Sequence, residues 1–215
     1  MSSRTNFPLG MFFVFSIGVL VLVVMFNIWN PPTVSTQSPQ DLMGVLRPEP
    51  KQLASFNLVD QKGESFTRKN LLGKWTFLFF GYTSCPDVCP MTLSVLSSVY
   101  KELGKKEDRM TEEQMLFVSV DPARDTPEKL AEYMAFFNER FIAATGEKSE
   151  IDNFSRQCGA GYMIDEETSP GEYLVNHTSA IFLIDPKGRL VASFSQPHNA
   201  DTILMQYQKI RAYIR

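Results

Sequence analysis

The sequence predicts an α/β protein in which helices flank a central mixed β-sheet. Two apolar runs, WTFLFF at 75–80 and MLFVSV at 115–120, are typical of strands buried on both faces of a sheet. Segments with apolar residues at helical spacing lie between and after these runs. Near the C-terminus, two strand-like runs are joined by the short turn DPKG at 185–188, which indicates an antiparallel hairpin.

The elements of the first half follow from local patterns. Residues 53–59 alternate as a short strand does, and the turn DQKG at 60–63 follows them. Leucines and valines at helical spacing predict a helix over 90–103. A further helix is predicted over 126–137, because a threonine stands at its cap and a proline at its first position.

The second half adds a helix over 149–158, strands over 177–184 and 190–195, and a final helix over 201–214. Strand and helix alternate first, and the hairpin and last helix follow. This order implies a parallel sheet that gains an antiparallel edge, which is the plan of a thioredoxin-like fold. Open α/β sheets place their sites at the carboxyl ends of the strands.

A transmembrane helix is expected before this fold. Residues 11–29 carry no charge and approach the roughly 20 apolar residues that cross a bilayer. Arg4 precedes the run and no basic residue follows it before Arg47, so residues 1–10 are expected in the cytoplasm and the bulk of the chain across the membrane. A cleaved signal peptide is the alternative, but the apolar run is long and no A-x-A-like cleavage site follows it.

The remaining chain divides into two parts. Residues 30–50 are rich in proline and lack a hydrophobic period, so they are expected to form an extended tether. Residues 51–215 are expected to form the folded domain. The formal net charge of −3 gives no basic footprint, which argues against nucleic acid as a partner.

Two of the three cysteines carry the expected chemistry. Cys85 and Cys89 lie in GYTSCPDVCP at 81–90, directly after the first core strand. Positions four apart share one helix face, and Pro86 suits a first helical position. The positive end of a helix favours thiolates, so the pair forms either a soft-metal site or a redox-active dithiol.

Other interpretations of the pair have less support. Buried structural cysteines do not fit the surrounding proline, aspartate, serine and glycine, which are typical of a surface loop. A disulfide between Cys85 and Cys89 would close a very short loop and add little stability, so we expect any such bond to be reversible. Cys158 has no cysteine neighbour in sequence and is expected to be a small buried residue.

A third ligand is needed for a metal, and the chain has two histidines. His177 begins a predicted strand whose preceding loop lies beside the cysteine loop in a thioredoxin-like fold, which favours it over a purely structural role. His198 is expected to be a loop or cap residue. A Cys2His set suits Cu(I), whereas a Cys2His2 zinc site would place its histidines three to five residues apart.

Two aspartates lie near these ligands. Asp121, where the second core strand ends, is a candidate to hydrogen-bond near the metal site and position the histidine loop, or it is a strand-end carboxylate. Asp87, between the two cysteines, is expected to be exposed to a partner.

These segments resemble the Sco/SenC family of copper chaperones for cytochrome c oxidase assembly. The resemblance is carried by GYTSCPDVCP at 81–90, VSVDPARDTPEKL at 118–130 and YLVNHTSAIFLIDPKGRL at 173–190. It implies a copper site for Cu(I), and also Cu(II), from Cys85, Cys89 and His177, with Asp121 as the functional aspartate of the family.

The resemblance also implies the partners. They are the binuclear copper centre of oxidase subunit II, other copper chaperones or thiol reductants, and the membrane. Two departures from the family pattern are visible. Asn176 stands where aspartate is usual, and Ser84 stands where many members have histidine.

Three functions remain open at this point. A metallochaperone, which is not an enzyme, requires His177, whereas a thiol–disulfide reductase acting through Cys85 and Cys89 does not. A copper or redox sensor would share the same ligands. The N-terminus lacks an Arg/Ser-rich transit peptide, so a bacterial inner membrane with the domain in the periplasm is favoured over the mitochondrial inner membrane facing the intermembrane space.

Overall fold

The computed structural model describes residues 9–29, 40–105 and 112–214 of the 215-residue chain. The chain divides into two compact units, Met1–Gln37 and Ser38–Arg215. The first unit contains helix α1, Leu9–Trp29, which includes the predicted anchor over 11–29. Within the described residues, no helix has both the length and the hydropathy that a membrane crossing requires.

The second unit is built from ten strands, four α-helices and two short 3-10 helices in its described part. The strands are β1 Leu46–Gln52, β2 Asn57–Asp60, β3 Ser65–Thr67, β4 Trp75–Gly81, β5 Glu113–Ser119, β6 Ile142–Thr145, β7 Tyr162–Ile164, β8 Val175–His177, β9 Ile181–Ile184 and β10 Arg189–Phe194. The helices are α2 Val88–Gly104, α3 Pro127–Phe137, α4 Lys148–Cys158 and α5 Ala200–Tyr213.

Eight strands form one mixed sheet in the order β1-β10-β9-β4-β5-β6-β2-β3, and β7 pairs only with β8. Strands β4, β5 and β6 run parallel, whereas β9 pairs antiparallel with β4 and β10 pairs antiparallel with β9. Every residue of β4 and β5 is buried, as the two apolar runs predict. The sheet is therefore parallel at its centre and antiparallel at both edges, which confirms the predicted mixed α/β architecture.

The helix predictions are confirmed with shifted ends. The Thr126 hydroxyl accepts a hydrogen bond from the Lys129 N–H and Pro127 begins α3, as expected for a capped start. Helix α2 begins at Val88 with Asp87 at the cap position. Pro86 and Cys85 consequently precede the helix, so the prediction that Pro86 occupies a first helical position is wrong.

Two strand predictions need correction. The strand predicted over 53–59 begins only at Asn57, and Leu53 is buried in the connection before it. The strand predicted over 177–184 is two strands, because β8 pairs with β7 and only β9 joins the large sheet. The Thr178 N–H donates to the Gly161 carbonyl between them, which holds the chain in the small sheet beyond His177.

The N-terminal boundary of the folded unit also differs from the expectation. Strand β1 pairs with β10, so the end of the proline-rich segment over 30–50 belongs to the sheet. Leu42 and Leu46 are buried in the core, which explains why the sheet takes in this segment. Residues 30–39 of the predicted tether, and 1–8 of the predicted cytoplasmic N-terminus, lie outside the described residues.

Candidate metal centre

The two cysteines lie where β4 leads into α2, at the carboxyl edge of the sheet. Cys85 precedes α2 and is half-buried, whereas Cys89 is the second residue of α2 and is fully buried. The Cys89 N–H, at the free end of the helix, points to Cys85 Sγ with an N···S distance of 3.5 Å. The helix start therefore receives a sulfur acceptor from the preceding loop, since Asp87 makes no side-chain cap.

His177 reaches the same edge from the other side. Strand β9 is antiparallel to β4, so the chain entering β9 lies beside the end of β4. His177 ends β8 just before this point, and its Nε2 lies 3.4 Å from Cys89 Sγ. The ligand atoms of Cys85, Cys89 and His177 all lie within 4.8 Å of one another. The structure thus brings together the three residues that the sequence analysis singled out.

The orientation of the imidazole suits a ligand. His177 Nδ1 lies 3.1 Å from the Thr178 carbonyl oxygen, which can only accept a hydrogen bond. The proton of the neutral ring therefore sits on Nδ1, and the lone pair of Nε2 faces the sulfurs. Metal-binding histidines commonly use their second nitrogen in this way.

Aromatic side chains fix the plane of this ring. Phe79 of β4 packs edge-on against the imidazole with centroids 5.7 Å apart, and Tyr82 does so at 6.0 Å. Both aromatic residues are buried. Edge-to-face contacts restrict rotation of the imidazole, so the nitrogen is held towards the sulfurs before any ion arrives.

The two thiols differ in acidity. The hydrogen bond from the Cys89 thiol outweighs the opposing effect of burial and lowers the pKa of Cys85 from the ordinary 9.0 to about 3. The same hydrogen bond to Cys85, together with burial, raises the pKa of Cys89. The half-exposed sulfur is therefore a thiolate at neutral pH, and the buried sulfur holds the proton that a metal would displace.

Asp121 hydrogen-bonds to residues around the three ligands and not to the ligands themselves. It is fully buried two residues beyond the end of β5. One carboxylate oxygen accepts from the Tyr173 hydroxyl at 2.7 Å and the other from Arg124 Nε at 2.5 Å. One of its partners, Tyr173, lies in the loop before β8, which supports the expectation that Asp121 positions the histidine loop.

Asp125 was not identified by the sequence analysis. This buried carboxylate accepts from the Thr83 N–H at 2.9 Å, from the Thr83 hydroxyl at 2.5 Å and from the Ser119 hydroxyl at 2.6 Å. It therefore ties the loop that carries Cys85 to the end of β5. The available signal was the second aspartate in DPARD, four residues after Asp121.

The other candidates are elsewhere or peripheral. His198 bonds to the Ser179 carbonyl through Nε2 at 2.8 Å and precedes α5, as expected for a loop residue. Cys158 is buried at the end of α4, and burial raises its pKa to about 12. Asp87 is exposed, as predicted, and Asn176 is exposed beside the site.

The donor set fits a single soft ion. Metal–sulfur and metal–nitrogen bonds of about 2.0–2.3 Å place the three ligands of a trigonal ion about 3.5–4 Å apart. The spacing of the three ligand atoms needs only small rotations to meet this requirement. Two sulfurs and one imidazole are ligands that thiophilic ions such as Cu(I) prefer.

Known proteins share both the sequence and the fold. Residues 46–214 match the model of the SCO1/SenC family. The chain is 35% identical over 161 residues to "Protein SCO1 homolog 1, mitochondrial" of Arabidopsis thaliana, which covers 72% of this chain and 47% of that protein. This chain therefore spans about half the length of the plant relative.

Similar solved structures include some that were determined with copper bound. Arabidopsis thaliana ScoI is 33% identical, with a TM-score of 0.69 over 74% of this chain and 98% of that chain. Bradyrhizobium japonicum ScoI is 33% identical, with a TM-score of 0.66 over 75% and 99%. The fold is accordingly thioredoxin-like, as predicted, and the chain belongs to the SCO1/SenC family.

Proposed function

We propose that this chain is a copper carrier that binds Cu(I) through Cys85, Cys89 and His177 and transfers it to another protein. The observation that carries the proposal is the approach of His177 Nε2 to within 3.4 Å of Cys89 Sγ, with Cys85 in the same group. Two relatives of the same fold hold copper in their solved structures. A dithiol that only exchanged disulfides would not need this imidazole.

The geometry also suits release of the ion. Three ligands leave one side of the ion open, and Cys85 is the half-exposed member of the set. A sulfur from an acceptor protein can approach from that side and replace the ligands one at a time. The acceptor in this proposal is the binuclear copper centre of cytochrome c oxidase subunit II, because the family assembles that enzyme.

A copper titration of the full chain, reduced and free of oxygen, tests the carrier function. His177→Ala is expected to weaken Cu(I) binding by at least about 100-fold, since loss of a ligand costs no less than loss of an outer partner. His198→Ala is the matched control, because it removes the other histidine of the chain and is expected to bind like the parent. Equal affinities in the two variants would overturn the copper site.

A second function is favoured by the acidity of the thiols. Cys85 is a thiolate at neutral pH, so it can attack a disulfide of another protein and form a mixed disulfide. Cys89 then attacks that bond, which leaves the substrate as a reduced dithiol and Cys85–Cys89 as the oxidised pair. His177→Ala should leave this exchange intact, and a loss of both exchange and copper binding in that variant would contradict a separate reductase activity.

Attachment to a membrane is a further part of the proposal. It is supported by the 19 uncharged residues over 11–29 and by the basic Arg4 before them. The proposed location is a bacterial inner membrane with the folded unit in the periplasm. Alkaline extraction of membranes that contain the full chain tests this, since an integral protein stays in the pellet. Release into the supernatant would contradict the anchor.

A further inference from the structure

His177 does not lie on the large sheet. Strand β8 pairs only with β7, in the register Tyr162 to His177, and neither strand bonds to the eight-stranded sheet. The cysteine loop, in contrast, follows β4 at the centre of that sheet. The position of the imidazole relative to the sulfurs therefore depends on how the β7–β8 hairpin is held at its two ends.

The end near His177 is tied by local bonds. The Thr178 N–H donates to the Gly161 carbonyl at 2.9 Å, and the Gly161 N–H donates to the Thr178 hydroxyl at 3.0 Å. The Tyr162 hydroxyl also donates to Asp152 of α4 at 2.5 Å. These bonds fix the end near His177, and at the other end the Asp165 N–H donates to the Leu174 carbonyl at 2.9 Å, where the loop enters β8.

The loop that enters β8 is held by a separate set of contacts, which we call the latch: Asp121, Arg124 and Tyr173. Asp121 accepts from the Tyr173 hydroxyl and from Arg124 Nε. Arg124 Nη1 donates to the Tyr173 carbonyl at 3.0 Å, and the guanidinium lies 3.6 Å from the centre of the Tyr173 ring. Tyr173 is thus held through its hydroxyl, its ring and its backbone by two residues.

The latch is strong because it is shielded from water. The Asp121 side chain is 0% exposed and that of Arg124 is 18% exposed. Charge-assisted hydrogen bonds and cation–π contacts gain strength when water is excluded. Arg124 also lies 5.6 Å from the centre of the Tyr82 ring, which packs on His177. The latch therefore reaches the imidazole through both the loop and the ring beside it.

We propose that Arg124 and Tyr173 are positioning residues whose contacts with Asp121 keep His177 beside Cys89 and set the rate of metal release. When the latch opens, the loop entering β8 is free to move and the imidazole withdraws. A three-ligand site then becomes a two-sulfur site, from which an acceptor takes the ion more readily. This inference rests on the proposed carrier function, since release has meaning only for a bound metal.

The chain contains a matched control for the latch. At the other end of β5, Tyr207 donates to Glu113 at 2.7 Å, and Arg211 pairs with the same carboxylate at 2.7 Å. This second set of tyrosine, carboxylate and arginine has the same chemistry as the latch. Its carboxylate, Glu113, is the first residue of β5, whereas Asp121 lies just beyond the other end of that strand. The seven residues of β5 separate the two sets by about 20 Å. Tyr207→Phe thus removes the same hydroxyl without touching the site.

Two measurements test the latch on the full chain. In the metal-free protein, Tyr173→Phe is expected to speed amide hydrogen exchange of residues 172–177, whereas Tyr207→Phe leaves these residues unchanged. In the Cu(I)-loaded protein, Tyr173→Phe is expected to speed copper transfer to a chelator by about 10-fold. This is the low end of the effect on metal affinity when a residue that supports a metal ligand is lost. Arg124→Lys keeps the charge but loses the planar guanidinium that bonds both Asp121 and the Tyr173 carbonyl, so it should change both measurements in the same direction.

The outcomes separate the latch from the carrier function. If His177→Ala releases copper no faster than the parent, the carrier function itself is wrong. If His177→Ala releases copper faster while Tyr173→Phe and Arg124→Lys both match Tyr207→Phe in exchange and in release, the latch is wrong and the carrier function stands. Should Tyr173→Phe fail to fold, the comparison of Arg124→Lys with Tyr207→Phe decides by the same two measurements.

Discussion

Gly81 leaves the space that the sulfur of Cys89 occupies. A Cβ built on Gly81 would lie 2.7 Å from Cys89 Sγ and 2.8 Å from Cε2 of Phe117. Gly81 is the last residue of β4 and is fully enclosed, so neither neighbour has room to retreat. The absence of a side chain at this position is therefore a condition for the buried cysteine to face His177.

Gly81→Ala is expected to disturb both the fold and the site. Overpacking of a well-packed core by one methyl group lowers the free energy of unfolding by about 1–3 kcal/mol. Displacement of the Cys89 sulfur should also weaken Cu(I) binding. Urea denaturation and copper titration measure the two effects. Gly161→Ala is the control, because a Cβ there meets nothing within 4 Å, and equal behaviour of the two variants would contradict the steric account.

Asp125→Ala is expected to loosen the cysteine loop. The substitution leaves the Thr83 N–H and the Ser119 hydroxyl without their acceptor, and buried donors without partners cost about 1–3 kcal/mol. The free energy of unfolding should fall by about that amount in urea denaturation. Asp87→Ala, in the same loop but exposed, should change it by less than about 0.5 kcal/mol. A fall of the same size in both variants would argue against a role for the Asp125 hydrogen bonds.

The sequence predicts the parts of this site that depend on local patterns. The buried strands and the C-x-x-x-C spacing place Cys85 and Cys89 at the edge of the sheet, because strand burial and chain order suffice for that. The break between β8 and β9 could not be predicted, since it depends on pairing with β7, and this pairing is a tertiary contact. An apolar run alone does not show which sheet its first residues join.

The latch is hidden from the sequence for the same reason. Arg124 and Tyr173 are 49 residues apart, and neither is unusual in its local segment. Only the parallel arrangement of β4 and β5 places Asp121 and Asp125 beside the cysteine loop. Residue types thus indicate the ligands of the site and Asp121, whereas Arg124, Tyr173 and Asp125 emerge as positioning residues only from the fold.

The reactivity of Cys85 is expected to be nearly independent of pH. Its pKa is lowered from 9.0 to about 3, so the thiolate, which is the reactive form, persists well below neutral pH. Alkylation of the reduced, metal-free protein by iodoacetamide should change by less than about 2-fold between pH 5 and pH 8, as followed by mass spectrometry. Cys89→Ala removes the main hydrogen-bond donor, so the rate should then fall as the pH is lowered. A steep fall in the parent protein as well would contradict the lowered pKa.

Asn176, which stands where aspartate is usual in the family, is accommodated by a hydrogen-bonding partner on the same hairpin. Its side-chain N–H donates to both carboxylate oxygens of Asp165, at 2.9 and 3.1 Å, next to the ladder that carries His177. An aspartate at position 176 would face Asp165 with a like charge, which costs about 0.2–1 kcal/mol between neighbouring strands. Asn176→Asp should therefore speed amide exchange of the β7–β8 hairpin at low ionic strength, and salt should reduce the effect.

The double variant Asn176→Asp with Asp165→Asn provides the control, because it restores one amide and one carboxylate with the partners exchanged. Amide exchange of the hairpin in this variant should return to the parent rate, and its dependence on salt should disappear. If the single and double variants exchange equally fast, the amide–carboxylate pair does not stabilise the hairpin. Copper release measured on the same variants then tells whether hairpin stability affects His177, since release should follow the exchange rates in the same order.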